Sequence, residues 1–189
     1  MITLDTKHTA LLVMDLQADI LPRLGDKAAS LLERTAALIA GARRAGVPVL
    51  YVVINFRPGY PEISPRNLSF ATITQNNRFV GAPGADIAPA VAPQAGDVVV
   101  VKHRVSAFFG TDLEIILRAK SVDTLLLAGV ATGGIVLSTV RYGADADYRL
   151  VVVEDCCADA DDEVHRVLTQ KLFPRQATVA SSSDVLAAL

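Results

Sequence analysis

The chain has no obvious cluster of catalytic or metal-binding residues. Its three histidines, His8, His103 and His165, are scattered, with no His-x-His or His-x-x-x-His pair, so no metal site is expected. Its two cysteines, Cys156 and Cys157, are adjacent and cannot close a loop, which points to reduced thiols and a cytoplasmic setting. Gly-x-Gly-x-x-Gly and P-loop patterns are absent, so no nucleotide or other cofactor is expected. Net charge is −2, and no basic cluster exceeds Arg43-Arg44. With a sequence pI of about 5.9, this excludes nucleic acid and anionic membrane surfaces as partners. The apolar run near the N-terminus is far too short to span a bilayer, and no signal-peptide charge pattern precedes it.

What is present is a set of short, unbroken apolar runs. Leu11-Leu12-Val13-Met14 stops at Asp15, and Val98-Val99-Val100-Val101 stops at Lys102. A third, Leu125-Leu126-Leu127-Ala128, runs into Gly129-Val130-Ala131-Thr132-Gly133-Gly134. Runs of this length without alternation read as strands buried on both faces of a parallel sheet. In such sheets the ligand crevice lies outside the carboxyl ends of the strands. Asp15, Lys102 and the Gly-rich turn are therefore expected at one edge. No Cys, Ser or His stands beside them as a nucleophile.

The 189 residues fit a single domain, 1–189. Hydrophobic residues make up 51% and mean hydropathy is +0.38. Part of that excess fills the sheet, and part is expected to cover the interface of a homo-oligomer, a dimer or larger. Strands are predicted at Thr9–Asp15, Val47–Asn55, Asp97–Lys102, Asp123–Gly129, Leu150–Asp155 and Gln176–Ala180. Helices are predicted at Asp26–Ala45, Gly84–Val91, from Thr111 to Lys120, at Ile135–Tyr148 and Asp162–Leu172, with a short one closing the chain. Thr111-Asp112-Leu113-Glu114 has the form of a capping box. Phe56 to Pro83 shows little periodicity, and a stretch that long in a compact domain is usually a functional loop. The alternation predicts an α/β fold: a doubly wound, six-stranded parallel sheet of order 3-2-1-4-5-6 with helices on both faces.

Each candidate also has a bland reading. A strand-end Asp often caps the next helix, a strand-end Lys is often solvated, and the glycines of Gly129–Gly134 can simply permit a tight turn. Cys157, expected just past the fifth strand, has no neighbour that would lower its pKa.

Three blocks carry a family resemblance. Val13-Met14-Asp15-Leu16-Gln17, Val101-Lys102 with Ser106-Ala107-Phe108, and Gly129-Val130-Ala131-Thr132 leading into Ser138-Thr139 resemble the signature blocks of the isochorismatase-like (cysteine hydrolase) superfamily, in its order and spacing. The resemblance spans nearly the whole chain and implies a six-stranded parallel α/β sheet. In most members an Asp, a Lys and a Cys cooperate, and Asp15 and Lys102 match the first two. The nucleophile position falls on Ile135, which has no lone pair, so covalent thiol catalysis from there is excluded. The nicotinamidase branch carries a metal-binding Asp-x-His after its second strand. Here Asn55-Phe56-Arg57-Pro58-Gly59-Tyr60 follows, without His. The resemblance also implies a cis peptide at Val130–Ala131 and backbone N–H groups of Gly134 and Ile135 facing an anion.

Isochorismatases proper have Gly at the thiol position and hydrolyse a vinyl ether, which needs a general acid and no nucleophilic side chain. The chain is thus expected to be an isochorismatase-like hydrolase of a small polar or carboxylate-bearing molecule. Asp15 is the acid, and Lys102 orients it or a substrate carboxylate. Arg57, on the loop after the second strand, is the candidate grip on an anion. Gln17, Phe108, Val130, Ala131 and Gly134 are expected to line the pocket. The rival reading is an inactive family member that binds a metabolite or serves as an oligomeric scaffold.

Overall fold

The computed structural model describes residues 2–82 and 84–189, with every side chain except that of Asn76. Met1 and Pro83, which fall within the expected domain and loop, lie outside the described residues. Six strands, β1 (Thr9–Met14), β2 (Val49–Ile54), β3 (Val98–Lys102), β4 (Thr124–Val130), β5 (Arg149–Ala158) and β6 (Thr178–Ala180), form one sheet. Their order is β3-β2-β1-β4-β5-β6, every pairing is parallel, and the order is the one predicted. Five α-helices accompany them: α1 (Lys27–Arg44), α2 (Leu113–Ala119), α3 (Leu137–Asp145), α4 (Asp162–Val167) and α5 (Ser182–Ala188).

The apolar runs form strands because both of their faces are covered. In β1, Leu11 and Val13 join a core with Leu31 and Leu38 of α1 and Val185 of α5. The alternate residues Leu12 and Met14 join a second core with Leu113 and Leu117 of α2 and Val140 of α3. This is the period-two alternation of a strand with apolar residues at both phases. Each such side chain, fully buried, contributes about 1.5–3 kcal/mol. A third, smaller cluster lies in the long loop, where Phe56, Tyr60, Phe70, Ile73 and Phe79 pack with Ile54. The loop thus carries its own core.

Several local expectations are corrected. The capping box does not form: Asp112 holds the cap position of α2 without a side-chain cap. Thr111 Oγ1 donates to Ala107 O, while Glu114 turns outward to Arg118 and Tyr142. Gly84–Val91 is not a helix. Gly84 has φ +79°, and only a 3-10 turn at Pro89–Val91 forms. The helix expected from Ile135 begins instead as a π-turn, Thr132–Val136, whose regularity breaks at Gly134 (φ −106°, ψ −105°). α4 ends at Val167 and continues as a second π-turn, Leu168–Leu172. β5 runs on to Ala158 through an irregularity opposite β4, where Gly129 pairs with Cys157. Cys156 and Cys157 therefore lie inside a strand rather than beyond it. Among the described residues, no helix is long and apolar enough to cross a membrane.

Candidate active site

Asp15 is delivered by a sharp turn at the end of β1. Its backbone adopts φ +56°, a region that Asp tolerates better than most residues and that costs about 1–3 kcal/mol. Its N–H donates to Val52 O at 2.8 Å, and its carbonyl accepts from Gln17 N at 2.8 Å. Lys102 ends β3, two strands away. At the spacing of parallel strands that is about 10 Å, so the long lysine stem must cross the end of β2. It does so, placing Nζ 2.9 Å from Asp15 Oδ2, with the two side chains only 3% and 8% exposed. Nζ also donates to Arg104 O at 3.1 Å.

This pair is costly to bury, because two ions leave water for one contact. Burial raises the Asp15 pKa above the ordinary carboxylate value. Lys102 opposes that shift without cancelling it, and the Asp86 carboxylate adds to it. Asp15 Oδ1 is buried and, among the described residues, has no hydrogen-bond partner. A buried carboxyl with a raised pKa and a free oxygen is suited to carry a proton.

Asp15 and Lys102 open into a cavity of about 310 Å³ at the carboxyl edge of the sheet, at the lower end of the size range of small-molecule sites. Val130, Ala131, Gly134 and Ile135 line it, and the peptide bond between Val130 and Ala131 is cis. Ile135 is 2% exposed and packs into the core beneath the turn with Val136, Val140 and Leu168. The Gly134 N–H, expected to face an anion, donates to Ala131 O at 3.0 Å. The turn is braced by the residue that follows β5: Gly133 N donates to Asp159 Oδ2 at 2.7 Å. The Thr132 hydroxyl also meets His165 Nδ1 at 2.8 Å. Burial lowers the His165 pKa, which favours the neutral ring.

Three residues expected at the pocket stand elsewhere. Gln17 is fully buried and acts as a piece of backbone. Its Oε1 accepts from Ile54 N at 2.9 Å, and its Nε2 donates to Ile54 O at 3.0 Å and to Asp86 Oδ2 at 2.7 Å. Phe108 lies in the core, stacked on Tyr142 with ring centroids 4.3 Å apart. Arg57 points to solvent and pairs with Glu62. The arginines that line the cavity are Arg23 and Arg78. Neither was singled out from sequence, and neither was Asp159, although Asp159 directly follows β5 and the strand-end rule that marked Asp15 applies to it.

The cysteines are poorly suited to chemistry here. Burial pushes the Cys156 thiol up to about 12. Cys157, also raised by burial, donates its S–H to Leu127 O at 3.5 Å. Among the described residues, no three His, Cys, Asp or Glu side chains gather as a metal site.

Comparison with known proteins agrees with this architecture. The isochorismatase domain model matches residues 9–184. The chain is 34% identical over 199 residues, covering 100% of both chains, to YecD of Escherichia coli O157:H7, an uncharacterized isochorismatase family protein. It is 31% identical to the maleamate amidohydrolase of Pseudomonas putida, across 82% of this chain and 72% of that one. An isochorismatase family protein from Burkholderia thailandensis superposes with a TM-score of 0.84 at 30% identity, covering 99% of this chain and 97% of the other. With Asp15 and Lys102 joined at the edge of the sheet and the family model spanning residues 9–184, the chain belongs to the isochorismatase family of hydrolases.

Proposed function

We propose that this protein hydrolyses a small carboxylate-bearing molecule by general-acid chemistry from Asp15, as in opening a vinyl ether, and uses no thiol nucleophile. The buried Asp15–Lys102 pair beside an apolar Ile135 carries this reading. Protonated Asp15 gives its proton to the terminal carbon of the vinyl ether, and water adds to the resulting oxocarbenium ion. The hemiketal then collapses to a carbonyl compound and an alcohol, and the proton lost by the added water restores Asp15. Lys102 holds the carboxylate form between proton delivery and its restoration, and Val130, Ala131 and Gly134 form the wall against which the substrate rests. The raised Asp15 pKa supports the acid role.

Ile135 favours a second reading, a non-catalytic member that binds a metabolite in the same cavity. One panel separates the two: vinyl ethers, amides and esters assayed for both turnover and binding. Turnover of a vinyl ether that survives thiol alkylation and disappears in Asp15→Asn is the expected result. Binding without turnover selects the second reading, and amide hydrolysis blocked by thiol reagents overturns the mechanism.

We further infer a single domain over residues 1–189, working in the cytoplasm as a homo-oligomer. Two adjacent cysteines that cannot close a loop support the compartment. Exposed Phe109 and Ile115 on and beside α2, together with the apolar composition, support the oligomer.

A further inference from the structure

The cavity above Asp15 and Lys102 has two unlike regions. Its walls are mostly apolar: Ile20, Leu24, Phe70, Ile73, Phe79 and Val105 face it, interrupted by the hydroxyl residues Ser69 and Thr72, and Phe70, Ile73 and Phe79 belong to the small core of the long loop. Its charges are unequal. Lys102, Arg23 and Arg78 line it against two carboxylates, Asp15 and Asp159. Lys102 is taken by Asp15, and Asp159 is held by the Gly133 N–H. That leaves Arg23, and Arg78, which Asp19 shares at 3.5 Å.

Arg78 is positioned but not saturated. Its guanidinium reaches Asp19 through Nε, 3.5 Å from Oδ2, and through one terminal nitrogen to the Asp19 carbonyl. It also lies 4.8 Å from the centroid of the Phe79 ring. A guanidinium has five N–H donors in a fixed fork, so these contacts orient it while leaving donors unused. Arg23, in the turn at Leu21–Leu24, is exposed, and its side chain makes no ion pair among the described residues. One arginine comes from the segment after β1 and the other from the end of the long loop. An anion between them would be gripped from two independent elements.

We propose that Arg23 and Arg78 form a carboxylate subsite, and that the ligand of this cavity is a small monocarboxylate with an apolar body, aromatic or branched alkyl. The body packs on Phe70, Ile73, Phe79 and Ile135, while the carboxylate lies between the arginines. This assigns the anion grip that Arg57 does not supply. It also distinguishes the ligand from fully polar acids, whose bodies would lose their hydration against these walls with little beyond the Ser69 and Thr72 side chains to replace it. The proposal deepens the hydrolase reading and rests on its choice of cavity, but its test does not require turnover.

The test is calorimetric titration of the intact protein with three probes: benzoate, its neutral isostere benzamide, and succinamate, a carboxylate with a polar body. Backbone amide shifts at Gly134 and Ile135 locate the binding. Benzoate is expected to bind at least tenfold more tightly than either other probe and to weaken as salt is raised. Arg23→Gln and Arg78→Gln are each expected to weaken benzoate about tenfold and to leave benzamide unchanged. Arg78→Gln removes contacts to Asp19, so the exposed Arg23→Gln decides if the former loses its fold. Absence of benzoate binding at millimolar concentration overturns the proposal. So does benzamide or succinamate binding equal to benzoate, or benzoate binding indifferent to Arg23→Gln. Benzoate binding in a protein that hydrolyses nothing leaves this subsite standing and removes the hydrolase reading. Turnover of a polar acid without benzoate binding does the reverse.

Discussion

Gly129 presses β4 so closely against β1 that a Cβ added there would sit 2.2 Å from the carbonyl oxygen of Met14. Met14 is the residue immediately before Asp15, so this contact fixes the backbone from which the candidate acid springs. Gly129 also has φ +150°, a conformation that side chains rarely adopt. Neither strain can be relieved by a rotamer change, since the obstructing atom is backbone.

Gly129→Ala is therefore expected to destabilise the protein by about 1–3 kcal/mol, as overpacking does, and to displace the Asp15 carboxylate from Lys102. Urea unfolding measures the first effect. The second is read as a loss of turnover or ligand binding larger than the stability loss explains. An alanine variant with wild-type midpoint and activity would remove Gly129 from the site's support.

The pH dependence of stability follows from the direction of the Asp15 shift. Its pKa in the folded protein lies above that of an aspartate in the unfolded chain, so between the two values the folded state binds more protons than the unfolded one. The slope of unfolding free energy against pH is then negative from this group. Its contribution is fully present below the unfolded-chain pKa and declines as pH rises to the native pKa. Asp15→Asn should erase this component of the slope, which denaturant titrations at a series of pH values can isolate. In catalysis the same group acts as an acid, so turnover should fall as pH rises through the native pKa. Asp15→Asn should lower kcat by roughly 10²–10⁴-fold.

Removing the cation instead leaves the carboxylate buried without its partner. Lys102→Met keeps the stem and deletes the charge, so the Asp15 pKa is expected to rise further. The alkaline limb of the pH–rate profile should move upward accordingly. At pH values where Asp15 is ionised, the variant should lose about 3–5 kcal/mol of stability, the cost of orphaning one member of a buried pair. At pH values where Asp15 is protonated, that loss should be smaller. A loss independent of pH would mean that Lys102 matters for packing and not for its charge.

The sheet and the acid–lysine pair were legible because both are written in local sequence. Leu11–Met14 and Val98–Val101 are apolar at both phases of a strand, and each ends in one charge. What was not legible depended on contacts distant in the chain. Gln17 follows a strand end and reads as a pocket residue, yet its amide is consumed by the backbone of Ile54, 37 positions away. Arg57 and Arg78 occupy the same aperiodic loop, and nothing local distinguishes them. Glu62 takes one, whereas Asp19 and the Phe79 ring turn the other to the cavity. The extent of β5 was hidden by the irregularity opposite Gly129, which places the cysteines within the sheet.

The cysteines supply the last prediction. Both are buried, and burial holds both thiols above their ordinary pKa, so little thiolate exists near neutral pH. A thiol reagent should therefore leave the native protein unlabelled over times in which the unfolded chain reacts at both positions, and turnover should be unchanged by that treatment. Ile135→Cys adds a third thiol that lines the cavity. Ile135 is itself only 2% exposed, so this thiol should also label slowly in the native protein, though faster than Cys156 and Cys157 because it borders the cavity. It should gain little thiol-dependent activity unless the substrate offered is matched to the cavity, even with Asp15 and Lys102 beside it. Inactivation of the wild-type protein by labelling at Cys157, with Asp15→Asn still active, would transfer the chemistry from the acid to the thiol.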